Sequence, residues 1–207
     1  MKLLRVDASA KAHASITREL GDRLQARLVD TDDTVIVHDV GRTPLPHVDE
    51  PFVSGLRGGG HGAAAETAVR RSDRYLDDLE ASDALLIGTP MYNFTVPSAL
   101  KSWIDHIVRA GRTFRYTEKG PEGLLADRPV TVLVTSGGIY SEGPGAARDH
   151  LVPYLRTVLG FIGLDRVEVV RAEGLDMGPE ARETGIARAR RTIDEIRPLT
   201  HASVPAS

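Results

Sequence analysis

Short apolar runs recur along the chain, and small or polar residues follow each of them. The runs occupy residues 3–6, 34–38, 84–88, 130–134 and 167–170. Within most of them leucine, isoleucine, valine and alanine stand side by side, with little of the alternation that a half-exposed strand shows. Continuous apolar runs of this length are typical of strands that are buried on both faces of a parallel sheet.

Between these runs lie longer segments in which apolar residues recur at helical spacing. In the first of them Leu20, Leu24 and Leu28 follow Ser15, a residue type that often caps the start of a helix. The pattern predicts helices over residues 15–28, 63–79, 97–109, 151–162 and 179–196. Because parallel strands need crossover connections, the alternation predicts an α/β fold, a doubly wound five-stranded parallel sheet with helices on both faces. Ligands of such sheets bind beyond the carboxyl ends of the strands.

The length of 207 residues suits one domain. We predict a single domain over residues 1–199 and a disordered tail over residues 200–207. Residues 52–62 contain Gly58-Gly59-Gly60. A flexible loop is the favoured interpretation of this glycine run, and a phosphate-binding loop is the alternative.

The composition of the chain argues against several kinds of binding partner and of chemistry. The chain is 41% hydrophobic and 27% charged, as globular proteins are, and its formal charge is only -3. Neither nucleic acid nor a membrane is expected as a partner, because no large field of one sign is present. The absence of cysteine excludes disulfides, thiolate zinc sites and cysteine nucleophiles, and it favours the cytoplasm. Charges within the first seven residues argue against a signal peptide.

Hydroxyl side chains follow the first predicted strand. Ser9 comes directly after it, and Ser15-Ile16-Thr17 begins the first helix. A helix start offers free N–H groups and the positive end of the helix dipole, which together bind phosphate. The glycine fingerprints of dinucleotide and triphosphate sites are absent, so a monophosphate fits better. The alternative is that Ser15 is only an N-cap.

Planar and amide side chains follow the third predicted strand. Met91, Tyr92, Asn93 and Phe94 come after Pro90, which stiffens the backbone there. A flat heterocycle needs apolar and aromatic contacts on its face and amides at its polar edge. The alternative is that Tyr92 and Phe94 fill the core.

A third loop follows the fourth predicted strand at the same edge of the sheet. Its residues are Thr135, Ser136, Gly137 and Gly138. Paired glycines let the backbone approach a ligand closely and leave amides free. A simple turn is the alternative.

No set of catalytic acids, bases or nucleophiles stands out, and no metal is predicted. The seven histidines show no spacing typical of metal ligands. His106 lies within the predicted helix over residues 97–109. We favour three interpretations of His106 over a catalytic role: an exposed position, a buried and hydrogen-bonded position, or a position at an interface.

The motif Pro90-Met91-Tyr92-Asn93-Phe94 is similar to one found in the FMN-dependent azoreductases. Further similar segments are residues 100–101, 105, 109–111, 113–118, 120–124, 159–163 and 172–174. The chain therefore resembles that family through nearly all of its length to Ile196. The family consists of flavodoxin-like homodimers that also act as NADH:quinone oxidoreductases, so the resemblance implies a flavodoxin-like fold.

Position by position, the resemblance implies which residues hold FMN. The ribityl phosphate would be held by Ser9, Ser15, Ile16 and Thr17. The isoalloxazine would be held by Met91, Tyr92, Asn93 and Phe94, and its polar edge by Thr135, Ser136, Gly137 and Gly138. The substrate space at the dimer interface would be lined by Tyr116 and Phe161. The chain departs from the family at Ile16, where serine or glutamine is frequent, and at Ser136, where many relatives have arginine.

The resemblance also implies the activity, a transfer of two electrons from NADH or NADPH to quinone, azo or nitroaromatic compounds in ping-pong order. The flavin carries the chemistry, so no catalytic side chain is assigned. A flavodoxin-type electron carrier is one alternative, but carriers are usually strongly acidic, and the segment over residues 109–124 is longer than a carrier needs. We interpret that segment as a pocket wall and dimer element. An NAD(P)H-dependent flavin reductase is the other alternative, and the resemblance over residues 113–123 argues against it.

Overall fold

The computed structural model describes residues 1–56 and 62–200. The run Gly58-Gly59-Gly60 and residues 201–207 of the predicted tail lie outside the described residues. The strands are β1 (Lys2–Asp7), β2 (Thr34–His38), β3 (Ala84–Pro90), β4 (Phe114–Thr117), β5 (Gly120–Gly123), β6 (Val130–Thr135) and β7 (Val167–Ala172). The α-helices are α1 (Ile16–Leu28), α2 (Glu50–Leu56), α3 (Ala63–Glu80), α4 (Ser98–Ile107), α5 (Val152–Phe161) and α6 (Pro179–Glu195), and a 3-10 helix spans Gly143–Arg148.

The five predicted strands form one parallel sheet in the order β2-β1-β3-β6-β7. In β1, Leu4 pairs with Ile36 of β2 on one side and with Leu85 of β3 on the other. Every residue of β3 is buried, which is why residues 84–88 of this strand form a continuous apolar run. The predicted fold class is confirmed.

Helices cover both faces of the sheet. Successive residues of a strand point to opposite faces, so Leu4 belongs to one core and Leu3 to the other. The core around Leu4 contains side chains of α3, α4 and α5, and the core around Leu3 contains those of α1 and α6. Among the helices in the described part of the chain, none is long and apolar enough to cross a membrane.

Helix α2 lies where the sequence predicts the start of a loop. The Asp49 carboxylate accepts the N–H of Phe52 at 3.0 Å in the first turn, and the Phe52 side chain is buried against the ring of His106. The loop prediction is therefore wrong for residues 52–56. A helix this short is set by one buried aromatic contact, and it has too few turns for a helical period to show.

Strands β4 and β5 form an antiparallel hairpin within residues 109–124, a segment that the sequence pattern leaves undivided. Tyr116 pairs with Pro121, and Phe114 pairs with Gly123. Glycine and proline are poor strand formers, so β5 carries no recognisable strand signal. Tertiary contacts set its conformation.

Two histidines of the core are buried in their neutral form. His38 Nδ1 accepts the indole N–H of Trp103 at 3.1 Å, so the ring proton lies on Nε2, 2.9 Å from an Asp78 oxygen. His106 Nε2 lies 3.0 Å from the carbonyl oxygen of Pro46. Burial lowers the pKa of both histidines. Of the interpretations open for His106, the buried and hydrogen-bonded one is confirmed.

Candidate functional site

The loops after β1, β3 and β6 meet at the carboxyl edge of the sheet, around a cavity of about 140 Å³. The predicted site residues that line this cavity are Ser9, Ser15, Ile16, Thr17, Met91, Tyr92, Thr135, Ser136 and Gly137. Asn93, Phe94 and Gly138 follow in the same loops without lining it. The Oγ1 atoms of Thr17 and Thr135 lie 2.7 Å apart, which ties the start of α1 to the end of β6. The structure thus brings the three predicted loops together.

The loop between β1 and α1 presents hydroxyls and free amides to this cavity. Ser15 is the N-cap of α1, and its Oγ accepts the N–H of Arg18 at 3.3 Å and donates to Ser9 Oγ at 2.9 Å. Within residues 1–56 and 62–200, the N–H groups of Ile16 and Thr17 have no acceptor. Ser15 is therefore an N-cap, and this role leaves the neighbouring amides available to a ligand. The two free amides are groups that an anion binds.

The guanidinium of Arg18 holds this loop in place. It donates to both carboxylate oxygens of Asp39 at 2.8 Å, to the carbonyl of Ser9 at 2.8 Å and to the carbonyl of Lys11 at 3.0 Å. Burial disfavours the charged form of Asp39, but the hydrogen bonds and charge of Arg18 outweigh it and lower the pKa of the carboxyl. The loop is therefore fixed by a bidentate ion pair.

The chain after β3 makes a tight turn with two aromatic side chains. Tyr92 and Thr95 exchange backbone hydrogen bonds of 3.0 and 3.1 Å, and the central residues Asn93 and Phe94 have φ of 47° and 73°. Positive φ at both central positions is typical of a type I′ turn, and it costs a side chain such as that of Phe94 ~1–2 kcal/mol. Tyr92 and Phe94 are 41% and 42% exposed, so the interpretation that they fill the core is wrong.

The loop after β6 is held by hydrogen bonds to the loop between β7 and α6. Its carbonyl oxygens accept N–H groups from residues 174–176 at 3.0–3.1 Å, and Ser136 Oγ donates to the carbonyl of Gly138 at 2.8 Å. In the part of the chain that the structure describes, the amides of Gly137 and Gly138 have no acceptor. A Cβ at Gly137 would lie 2.4 Å from Asp176 Oδ2, so a larger residue there would require the Asp176 side chain to move. The loop after β6 is more than a simple turn, because backbone hydrogen bonds from residues 174–176 fix its conformation.

The cavity is also lined by three charged side chains that the sequence pattern did not indicate. They are Lys11, Asp176 and Arg182. Arg182 lies in the first turn of α6 and donates to the carbonyl of Leu175 at 3.2 Å. The sequence did contain a signal for Arg182 as a site residue. The predicted helix over residues 179–196 starts at the same sheet edge as the first helix, so polar residues of its first turn were candidates.

The size and donors of the cavity fit part of FMN. About 140 Å³ is well below the roughly 300–1,000 Å³ of pockets that enclose a drug-sized ligand. Hydroxyls, free amides and cations suit a phosphate and a polyol chain, and the exposed aromatic turn beside them suits a planar ring. No group of three or more His, Asp or Glu side chains placed to hold a metal occurs among the described residues.

Comparison with known proteins identifies the family. A family model described as a flavodoxin-like fold matches residues 1–196. An FMN-dependent NADH:quinone oxidoreductase of Pseudomonas aeruginosa is 45% identical over 193 residues, which cover 91% of this chain and 89% of that protein. The chain belongs to this family. A Shewanella baltica protein of the same name is 43% identical over 198 residues, covering 95% of this chain and 98% of that protein.

Solved structures of family members superpose closely on this one. The crystal structure of the azoreductase AzrA gives a TM-score of 0.85 at 32% identity, covering 93% of this chain and 97% of that chain. An azoreductase of Bacillus anthracis gives a TM-score of 0.84 at 31% identity, covering 95% of this chain and 100% of that chain. The resemblance based on sequence motifs is confirmed.

Tyr116 and Phe161 do not line the cavity of this chain, and both contact the ring of Phe114. The ring of Phe114 lies 5.4 Å from that of Tyr116 and 4.6 Å from that of Phe161, measured between centroids. Tyr116 is 76% exposed on β4. Within one chain, the structure does not bring these two predicted substrate residues to the residues that line the cavity.

A larger depression of about 690 Å³ lies between β7 and α6. None of the predicted site residues lines it. Arg171 at its wall is already paired with Asp149 at 2.6 Å and with Glu173 at 3.4 Å, and Arg188 lies 3.7 Å from Glu142. Because these charges balance one another, we place the functional site at the smaller cavity, where free donors face the opening.

Proposed function

We propose that the protein is an FMN-dependent oxidoreductase that transfers two electrons from NADH or NADPH to quinones and azo compounds, with nitroaromatic compounds as further acceptors. The observation that carries this proposal is the convergence of free backbone amides and hydroxyls on one cavity beside an exposed aromatic turn. The name of a relative that is 45% identical over 91% of this chain supports FMN as cofactor, NADH as donor and quinone as acceptor, and the similar azoreductase structures support azo compounds.

Residues around the cavity are proposed to bind the two ends of FMN. The ribityl phosphate is assigned to Ser9, Ser15 and the amides of Ile16 and Thr17. The ring is assigned to Met91, Tyr92, Asn93 and Phe94, and its polar edge to Thr135, Ser136, Gly137 and Gly138. The free donors and the exposed rings described above support this division.

FMN, when bound, supplies the two-electron chemistry. The chain contributes binding, orientation and charge stabilisation. The amides of Gly137 and Gly138 are preorganised donors for negative charge at the polar edge of the ring, because their loop is already held by residues 174–176. With FMN bound, Tyr92 and Phe94 would contact the ring and exclude water from it. We propose that nicotinamide and acceptor use the same remaining face in turn, which gives ping-pong order.

A homodimer in the cytoplasm completes the proposal. Tyr116 is 76% exposed although it is aromatic, and Val48 and Leu56 are more than 40% exposed elsewhere on the surface. A second copy that covers such side chains would bring Tyr116 and Phe161 to the substrate space. The cytoplasm is where NADH is produced and consumed.

Visible absorbance of purified protein mixed with FMN and then desalted tests the function. Retained flavin should bleach when NADH is added without oxygen and recover when benzoquinone follows. Retained flavin that neither NADH nor NADPH bleaches would contradict the reductase. Light scattering after gel filtration tests the homodimer separately, and a monomer mass for active protein would contradict it.

A further inference from the structure

Arg182 is a cation at the cavity without a carboxylate partner. Within residues 1–56 and 62–200, no Asp or Glu oxygen lies within 4.0 Å of its guanidinium, which donates only to the carbonyl of Leu175 at 3.2 Å. Two other arginines on α1 and α6 are paired across the two helices, Arg190 with Glu19 at 2.5 Å and Arg23 with Asp194 at 2.6 Å. Donor capacity of Arg182 therefore remains free at the cavity.

The packing of α6 against α1 places this guanidinium near the free amides of the first loop. Both helices start at the carboxyl edge of the sheet and cover the same face. Arg182 precedes Arg190 by two turns, roughly 12 Å along the axis, and so lies toward the edge where Ile16 and Thr17 begin α1. All three residues line the same cavity.

The charges around the cavity favour an anion. Lys11 and Arg182 contribute two positive charges, and the Asp176 carboxylate contributes one negative charge. Ser136 adds no charge, and its hydroxyl is bonded to the carbonyl of Gly138. A phosphate between the amides of α1 and a planar guanidinium fork would receive charge-assisted hydrogen bonds from both sides.

We propose that Arg182 binds the phosphate of FMN and is a main determinant of cofactor affinity in this chain. The inference rests on the proposed function and adds a side chain from the last helix to the cofactor site. Arginine suits this task because its fork donates two parallel hydrogen bonds to phosphate oxygens.

The test compares Arg182→Met, which keeps the apolar stem and removes the charge, with Arg188→Met as the matched control. Arg188 is on the same helix, its side chain is 65% exposed, and it does not line this cavity. Apoprotein is titrated with FMN and with riboflavin, which lacks the phosphate, and flavin fluorescence gives each Kd. We expect Arg182→Met to raise the Kd for FMN ~10- to 100-fold. The Kd for riboflavin should stay within about twofold, and Arg188→Met should change neither value.

Four outcomes overturn the inference. An FMN Kd within twofold of the unmodified protein would show that Arg182 does not bind the phosphate, while leaving the proposed function intact. An equal loss of affinity for FMN and for riboflavin would show that the substitution of Arg182 acts on binding of the ring or on the fold, and not on the phosphate. Unmodified protein that binds neither flavin would remove the proposed function as well. If riboflavin binds too weakly to measure, the salt dependence of the FMN Kd decides, since loss of the Arg182 charge should flatten it and an unchanged slope would refute the inference.

Discussion

Replacing Arg18 by methionine should loosen the loop that carries Ser9 and Ser15. The substitution keeps most of the apolar stem and removes four hydrogen bonds, two to Asp39 and one each to the carbonyls of Ser9 and Lys11. Asp39 would keep its charge without the guanidinium that lowers its pKa. The change therefore removes the loop's main support without touching the cavity itself.

The burial of the Arg18–Asp39 ion pair determines how much stability its loss should cost. The side chains of Arg18 and Asp39 are 16% and 27% exposed, so the pair lies between a surface ion pair, worth 0–1 kcal/mol, and a buried one, whose truncation costs ~2–5 kcal/mol. We expect the free energy of unfolding of the apoprotein to fall by about 2 kcal/mol. Ordering one or two loop residues again on binding costs ~1–3 kcal/mol, so the Kd for FMN should rise about tenfold or more.

Urea denaturation of the apoprotein and fluorescence titration with FMN measure the two effects. Arg27→Met is the matched control, because Arg27 is a half-buried arginine on the same helix that makes no ion pair within the described part of the chain. A stability loss in Arg18→Met with an unchanged FMN Kd would refute the reasoning, since the loop would then be ordered without the ion pair. Asp39→Asn should show a smaller loss in both measurements, because the amide still accepts a hydrogen bond.

Three further substitutions test other parts of the structure. Burial lowers the pKa of His38, so its contribution to stability should be complete above about pH 6.5 and lost as pH falls through the lowered folded value. The free energy of unfolding should consequently decrease less between pH 8 and 5 in His38→Gln than in the unmodified protein, and an equal decrease would contradict the neutral buried ring. Phe94→Gly relieves backbone strain of ~1–2 kcal/mol, so it should lower stability by less than the ~3–5 kcal/mol of a core phenylalanine while weakening FMN binding. The opposite pattern, a large stability loss with full FMN affinity, would make Phe94 a structural residue. Ser136→Arg adds a cation next to the free amides of Gly137 and should lower the Kd for FMN severalfold, whereas an equal or higher Kd would show that the existing donors suffice.

Local patterns in the sequence were enough to locate the sheet and the edge at which the proposed site lies. Strands buried on both faces must be continuously apolar, so β1, β3 and β6 were visible as runs, and the residues after them were candidates because parallel strands end at one edge. Ser15 was recognisable as an N-cap because a cap is a local hydrogen bond. The family motif around Met91 then led to the proposal that this edge binds FMN.

The tertiary structure alone decided how the edge is supported and charged. The pairing of Arg18 with Asp39 and the position of Arg182 on α6 join parts of the chain that are distant in sequence, and no helical or strand period encodes such contacts. The hairpin of β4 and β5 likewise depends on packing, because glycine and proline in β5 give no strand signal. Periodicity reports which side of an element faces the core, whereas the partner of a polar side chain depends on which elements the fold places side by side.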